Sequence, residues 1–216
     1  MMVFNYLGCT VRTKKEEVFI NMTCIIGYLD KKNKVSWIGG DSLGSNGYVQ
    51  STESPSKVFR NKTFKNVLIG GTTTFRHLDL LKYSDSLFSE SDWYKKIEID
   101  HEFMVTKFIP NVIKLFKDGI INKEETNRGG NFIVATPSRL FEIQQDYSVL
   151  EPEIGICAVG CGEEVAMGSL ITTQEMDMEP KDKILKALEA AEKYCCGVKR
   201  PFRILCTDGR DDIIIR

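Results

Sequence analysis

Histidine is nearly missing: the chain holds two among 216 residues, and its seven cysteines form no CxxC pair. A zinc site would therefore need unusual ligands, and no metal or cofactor is implied. An odd number of thiols without a disulfide framework fits free, buried or half-buried cysteines in a reducing compartment, so the cytoplasm is the expected location. Excess charge is missing too, since 29 Lys and Arg face 30 Asp and Glu for a net −1. The basic residues are scattered, so no nucleic-acid surface is expected. No apolar run approaches membrane-spanning length, and no membrane association is expected. A secretory signal is lacking in its usual order, because "RTKKEE" follows the apolar residues instead of preceding them. Internal repeats and low-complexity linkers are also missing.

What remains is ordinary globular material, 42% hydrophobic and 27% charged. That length supports one substantial core, and the expected organisation is one domain over 23–216 preceded by a separate segment, 1–22. From Thr23 the pattern "TCIIGYL", a polar "DKKNK" turn and "VSWIGGD" predict a β-hairpin. "SLGSNG" reads as a loop, and "YVQS", "SKVFRN" and "NVLIGGTTT" as strands, the last ending in a small-residue turn. Phe75, Leu78, Leu81 and Leu87 then recur at helical spacing. A second helical pattern runs through "EFMVTKFIPNVIKLFKDG", where Pro110 predicts either a kink or a later start. Three strands with a turn at Pro137 and Ser138 follow, then the strand "IGICAVGCG" and the helix "EEVAMGSLITT". The strongest helix is "DKILKALEAAEKYCCG", with Ile184, Leu185, Leu188 and Ala191 on its apolar side; "FRILCTDG" closes as a strand. Hairpins outnumber βαβ crossovers, so the sheets should be mainly antiparallel and covered by helical layers, an α/β arrangement.

Three residues could carry chemistry. If Met22 were removed, Thr23 would hold a hydroxyl and a free α-amine on one residue. That amine has a pKa of about 7.7–8.0, so it can take the hydroxyl proton near neutral pH. Asp41 ends the second strand in "GGD", and Lys57 opens a later strand sixteen residues on. Taken singly, Thr23 opens a strand, Asp41 is a turn residue and Lys57 a solvated strand end. The glycines at 160 and 162 would be a plain strand-to-helix turn.

Together these residues resemble the proteasome β-subunit and HslV-type branch of the N-terminal nucleophile hydrolases. In that family a mature N-terminal Thr opens an apolar strand, an Asp ends the next one, and a Lys stands sixteen residues beyond the Asp. Thr23, Asp41 in "GGDS" and Lys57 in "SKVF" match this pattern, with a first hairpin about two residues longer. "NVLIGGTTTFRHLDLL" is similar to the family's strand, turn and helix, which places the oxyanion amide near Thr73. "AVGCGEEVAMGSL" and "KYCCGV" resemble two supporting turns, so that Cys161 with Gly162, and Cys196 with Gly197, fall where the family has Ser-Gly. The likeness spans residues 23 to about 207.

The resemblance implies a four-layer α-β-β-α sandwich and a threonine-type hydrolase that cleaves amide bonds in peptides or proteins through an acyl-Thr23 ester. Asp41 and Lys57 would be catalytic beside Thr23, with Thr73, Cys161, Gly162 and Cys196 in support. It implies a homo-oligomer, a ring in the family, sometimes served by an unfoldase. Two positions depart from the pattern: Cys161 replaces a Ser, and Lys193 replaces an Asp. A catalytically silent structural or binding subunit is therefore the alternative. A cysteine nucleophile at Cys24, partnered by His77 or His101, is a second alternative, and a plain interaction domain is a third.

Residues 1–22 fit two accounts. They could be a propeptide cut at Met22–Thr23, although family propeptides commonly end in Gly. Alternatively, Met22 is the initiator and is removed before the small Thr23. "KKEEV" (residues 14 to 18) can be encoded by codons spelling a purine-rich ribosome-binding site, which favours a translated leader.

Overall fold

A computed structural model of the chain describes residues 22–45, 48–52, 56–72, 74–88, 98–120 and 129–216. Two five-stranded sheets dominate, and every strand pair in them is antiparallel. The first sheet takes β1 (Ile25–Asp30), β2 (Val35–Gly40), β10 (Ile156–Val159), β11 (Phe202–Cys206) and β12 (Ile213–Ile215) in the order β10-β1-β2-β11-β12. The second runs in simple order through β5 (Val58–Arg60), β6 (Leu68–Gly71), β7 (Phe132–Ala135), β8 (Leu140–Ile143) and β9 (Val149–Leu150). A small ribbon pairs β3 (Gly44–Ser45) with β4 (Gln50–Ser51).

Each sheet is covered on both faces. Ile25, Ile38, Val58, Leu68, Ile133 and Leu205 fill the space between the sheets. Beneath the first sheet, Cys24, Ile26, Phe202 and Ile204 pack on α3 (Glu163–Gln174) and α4 (Pro180–Tyr194) through Ala166, Leu170, Ile184, Leu188 and Ala191. Over the second, Ile69, Phe132, Val134 and Phe141 meet Leu78 and Leu81 of α1 (Phe75–Tyr83) and Phe108, Val112 and Phe116 of α2 (101–119). The result is the four-layer α-β-β-α sandwich, and it explains the unbroken apolar run in "TCIIG". Cys24 and Ile26 face helices while Ile25 faces the other sheet, so no residue of that run needs to be polar.

Helix α2 is continuous: α-helical His101–Phe103, a π-helical turn Met104–Phe108, and α-helical Ile109–Gly119. The sequence offered a kink or a later start at Pro110; the helix starts ahead of the proline, and a π-helical turn precedes it. Proline lacks an N–H and its ring crowds the carbonyl of residue i−4. The Ile109 N–H reaches back five residues to the Met104 carbonyl, and this wider turn accommodates the ring. The chain also adds strand β12 beyond the expected closing strand, paired to β11 at Phe202–Ile215 and Ile204–Ile213. Helix α4 begins at Pro180, earlier than its apolar stripe suggested, because Pro suits the first helical turn. Among the described residues, no helix is long and apolar enough to cross a membrane.

Gly168 lies exposed within α3, and a Cβ there would have nothing within 4 Å. Gly168→Ala should therefore raise the unfolding free energy by about 0.5–1 kcal/mol, because alanine loses less backbone entropy in a helix. Urea denaturation would detect this as a higher midpoint with an unchanged slope.

Candidate active site

The two-strand hairpin and β10 converge on one end of the first sheet. Ile25 lies opposite Gly40 on one side and opposite Val159 on the other. Thr23 and Cys24 therefore run between Asp41 and the 160–162 turn. Asp41 N–H donates to the Cys24 carbonyl (3.3 Å), and Gly162 N–H to the Thr23 carbonyl (3.3 Å). Lys57 comes from the other sheet, one residue ahead of β5, and reaches across the gap between the layers.

The structure brings Thr23, Asp41 and Lys57 together. Lys57 Nζ lies 2.9 Å from Thr23 Oγ1 and 3.0 Å from each Asp41 carboxylate oxygen. It also donates to the Met22 carbonyl at 3.0 Å, and Thr23 Oγ1 donates to that same oxygen. All three residues are almost completely buried: Thr23 and Asp41 are 2% exposed and Lys57 3%. Such an ion pair survives burial only if its remaining lone pairs are satisfied. Asp41 meets that demand with backbone donors, taking N–H groups from Cys24 (3.0 Å), Leu43 (2.9 Å) and Lys199 (3.4 Å). Burial nevertheless pushes the Lys57 ammonium below its ordinary pKa, against the opposing pull of Asp41.

The supporting residues are close by. Cys161 is exposed on the turn before α3, and the Thr23 N–H beside it opposes the rise that burial gives its thiol pKa. That amide nitrogen occupies the place a free α-amine would take in a chain beginning at Thr23. Gly160 precedes Cys161 with φ +103, and a Cβ there would fall 2.3 Å from the Thr23 carbonyl oxygen. The Gly160 N–H donates to the Glu163 carboxylate (3.2 Å). Cys196 is exposed just after α4, and the following Gly197 packs against Cys161 Sγ and Met22. Lys193 stands exposed on the last turn of α4.

Thr73 lies outside the described residues. Just ahead of the predicted oxyanion position, Gly71 N–H donates to the Lys57 carbonyl (3.1 Å) and Thr72 N–H to the Asn131 carbonyl (3.0 Å). Cys24 is fully buried, and burial beside Asp41 raises its thiol pKa strongly, which keeps it an unreactive thiol. His77 packs on Phe116 and bonds Thr74, while His101 meets the Val149 carbonyl. Both belong to the helical layer over the second sheet, and Cys24 to the layer beneath the first. The arrangement thus gives Cys24 neither exposure nor a histidine.

Sequence reasoning did not single out Leu43, Lys199 or Glu163. Leu43 and Lys199 act through backbone N–H groups, for which side-chain identity carries no signal. Glu163 acts through its side chain on the Gly160 N–H, but with glycine at 160 no capping motif marked the pair.

No protein-family model matches the chain. Solved structures do. An HslV from Trypanosoma brucei superposes with a TM-score of 0.60 at 19% identity, over 85% of this chain and 98% of that one. Thiobacillus denitrificans BPH gives a TM-score of 0.64 at 14% identity, over 89% and 98% of the two chains. The same BPH in complex with epoxomicin gives 0.63 at 13% identity, over 89% of this chain and 99% of that one. The chain has the HslV-like fold. The four-layer α-β-β-α architecture expected from sequence is therefore the one adopted, with both sheets antiparallel and both helical layers in place.

Proposed function

We propose that this chain is a threonine-type hydrolase that cleaves amide bonds through an ester on Thr23. The observation that carries this reading is the buried Lys57 ammonium, held by Asp41 at 2.9 Å from Thr23 Oγ1. A positive charge there lowers the cost of forming a threonine alkoxide, and rigid placement requires no reorganisation as charge develops. The Thr23 α-amine, once free, accepts the hydroxyl proton. Oγ1 attacks the carbonyl carbon of a peptide, the amine passes its proton to the leaving nitrogen, and water then hydrolyses the ester with the same amine as base. Peptide substrates, a homo-oligomeric ring and a separate unfoldase belong to this reading by likeness of fold.

The contacts around Met22 support self-processing of the longer chain. The Met22 carbonyl oxygen accepts from Lys57 Nζ (3.0 Å) and from Thr23 Oγ1, so nucleophile and polarising cation already meet at the bond to be cut. Attack by Oγ1 on the Met22 carbonyl carbon would move residue 22 onto the hydroxyl as an ester, and its hydrolysis would free the amine.

The silent-subunit reading draws on Lys193 and Cys161, which replace an acid and a hydroxyl of the family pattern. One experiment separates the two. The full chain should acquire a new N-terminus at Thr23 on incubation and then form a covalent epoxomicin adduct on that residue, both read by mass spectrometry. Thr23→Ala should do neither. Adduct formation should rise with pH through the amine's range of about 7.7–8.0. A chain beginning at Thr23 that takes no adduct, and behaves as Thr23→Ala does, would establish the silent subunit.

A further inference from the structure

The residue ahead of the nucleophile has a fixed seat. Met22 is half-buried, and its carbonyl oxygen accepts from Lys57 Nζ (3.0 Å) and from Thr23 Oγ1. Against Met22 packs Gly197, which is buried. A Cβ added at Gly197 would stand 2.9 Å from Met22 Cα, 2.9 Å from Met22 Cγ and 2.6 Å from Cys161 Sγ. Carbon atoms rest about 3.5–4.0 Å apart, so a methyl group has no room there while residue 22 is in place. The surroundings have little slack. Cys195 N–H donates to the Ala191 carbonyl (2.8 Å), and Cys195 Sγ meets the Cys161 carbonyl oxygen (3.5 Å). Lys199 N–H donates to the Asp41 carboxylate (3.4 Å), and the Lys199 carbonyl accepts the Ser42 N–H (3.1 Å). Between these ties, Val198 is buried in the layer beneath the first sheet. The 195–199 segment is thus held at both ends and in the middle. Of the atoms a methyl would meet, the sulfur ends an exposed side chain and can turn away. Met22 Cα is backbone and moves only with its carbonyl. Gly197 is not among the glycines with positive φ, so what glycine provides there is space and not a backbone angle.

We propose that Gly197 is a positioning residue for self-processing: the space it leaves seats residue 22, which keeps the Met22 carbonyl on Lys57 and within reach of Thr23 Oγ1. This rests on the self-processing reading above. In that reaction the bond from Thr23 Oγ1 to the Met22 carbonyl carbon forms, and the bond from that carbon to the Thr23 nitrogen breaks. The hydroxyl proton ends on the nitrogen. Water then splits the ester, which leaves a carboxyl group on residue 22 and restores the hydroxyl. A methyl group at 197 would push Met22 Cα, and the carbonyl carbon bonded to it, away from the nucleophile. Placement of the reacting atoms is what the seat supplies. The contact ends with the cleavage, because Met22 leaves. Gly197 therefore governs the bond between residues 22 and 23, and not the chemistry of Thr23 once its amine is free.

The test makes Gly197→Ala in two chains. In the full chain, the appearance of a Thr23 N-terminus is timed by mass spectrometry. The second chain is begun at Met22, which the host removes before the small Thr23; every described strand and helix lies beyond that point. There the rate of epoxomicin adduct formation is measured. The full-length variant should process about 10²-fold more slowly than the parent, as for a reacting group displaced by about 1 Å. The chain begun at Met22 should label at the parent rate. Adding Cys161→Ala to the full-length variant should not restore processing, because it relieves only the sulfur contact. Adding Met22→Gly should restore most of it, since residue 22 then loses Cγ and gains backbone freedom. Processing of Gly197→Ala at the parent rate would overturn the proposal, as would recovery through Cys161→Ala or an equal loss of labelling in the chain begun at Met22. A parent that keeps residue 22, while the chain begun at Met22 takes the adduct, would also overturn it and leave the hydrolase reading standing. A parent that processes far faster than Gly197→Ala, yet takes no adduct, would refute the hydrolase reading and leave the role of Gly197 standing.

Discussion

Lys57→Met is expected to slow epoxomicin adduct formation at Thr23 about 10²–10³-fold, the loss typical of removing one preorganised donor from a developing oxyanion. It should also lower the unfolding free energy by about 3–5 kcal/mol, because the Asp41 carboxylate stays buried without its cation. The two losses have different origins and can be separated. Asp41→Asn in the Lys57→Met background removes the stranded charge while keeping an oxygen acceptor for the Cys24, Leu43 and Lys199 N–H groups. The double variant should recover most of the stability and none of the labelling. The pH dependence of stability gives a further handle. Burial raises the Asp41 pKa above its unfolded value, and losing Lys57 raises it more. The folded variant then binds the proton more tightly than the unfolded chain. The stability deficit of Lys57→Met should therefore shrink as pH falls from the raised Asp41 pKa toward the ordinary carboxylate value of about 3.9. Urea denaturation at several pH values, set beside adduct rates, would show whether Lys57 supplies chemistry, stability or both. If labelling persists in Lys57→Met while stability falls, the ion pair is a structural feature of an HslV-like fold and the catalytic reading is lost.

The fold was readable because its local signals agree. The "DKKNK" turn, the glycines that end β2 and β6, and the apolar stripe of α4 each favour the element they occupy, as consistent sequences do. What escaped reading depends on contacts distant in sequence. The "IIIR" run becomes a strand only because β11 offers it an edge; Ile213 and Ile215 pack on the core and Ile214 is exposed, but all three are isoleucine, so no polar alternation marks it. The π-turn before Pro110 arises from a clash between a ring and a carbonyl one turn earlier, which period counting does not register. At the site, the Asp41–Lys57 spacing of sixteen residues was visible. The three backbone donors that make the buried carboxylate tolerable were not, because any residue type at 43 or 199 could provide them. Cys161 and Lys193 were legible as departures, but only the structure set one of them against its neighbours: Cys161 Sγ packs on Gly197, and its carbonyl meets Cys195 Sγ.

Gly160→Ala should be the most damaging single-methyl change near the nucleophile. Two costs coincide there. The backbone has φ +103, a conformation L side chains rarely adopt, and the new Cβ would stand 2.3 Å from the Thr23 carbonyl oxygen and 2.9 Å from its carbon. Neither atom belongs to a flexible side chain, so relief requires β1 and the turn after β10 to move apart. The expected destabilisation is about 2–5 kcal/mol, combining left-handed strain with over-packing. Displacement of Thr23 by even about 1 Å should cost roughly 10²-fold in adduct formation. Gly209→Ala provides the control. Its φ is +85, yet an added Cβ would meet nothing within 4 Å, so it carries the strain without the clash. It should cost only about 1–2 kcal/mol and leave labelling at Thr23 unchanged. The difference between the two variants, in stability and in adduct rate, isolates the contact of Gly160 with Thr23. If the two alanines behave alike, the turn after β10 yields freely and does not fix the nucleophile. If Gly160→Ala alone loses labelling, the placement of Thr23 depends on a backbone approach that only glycine permits.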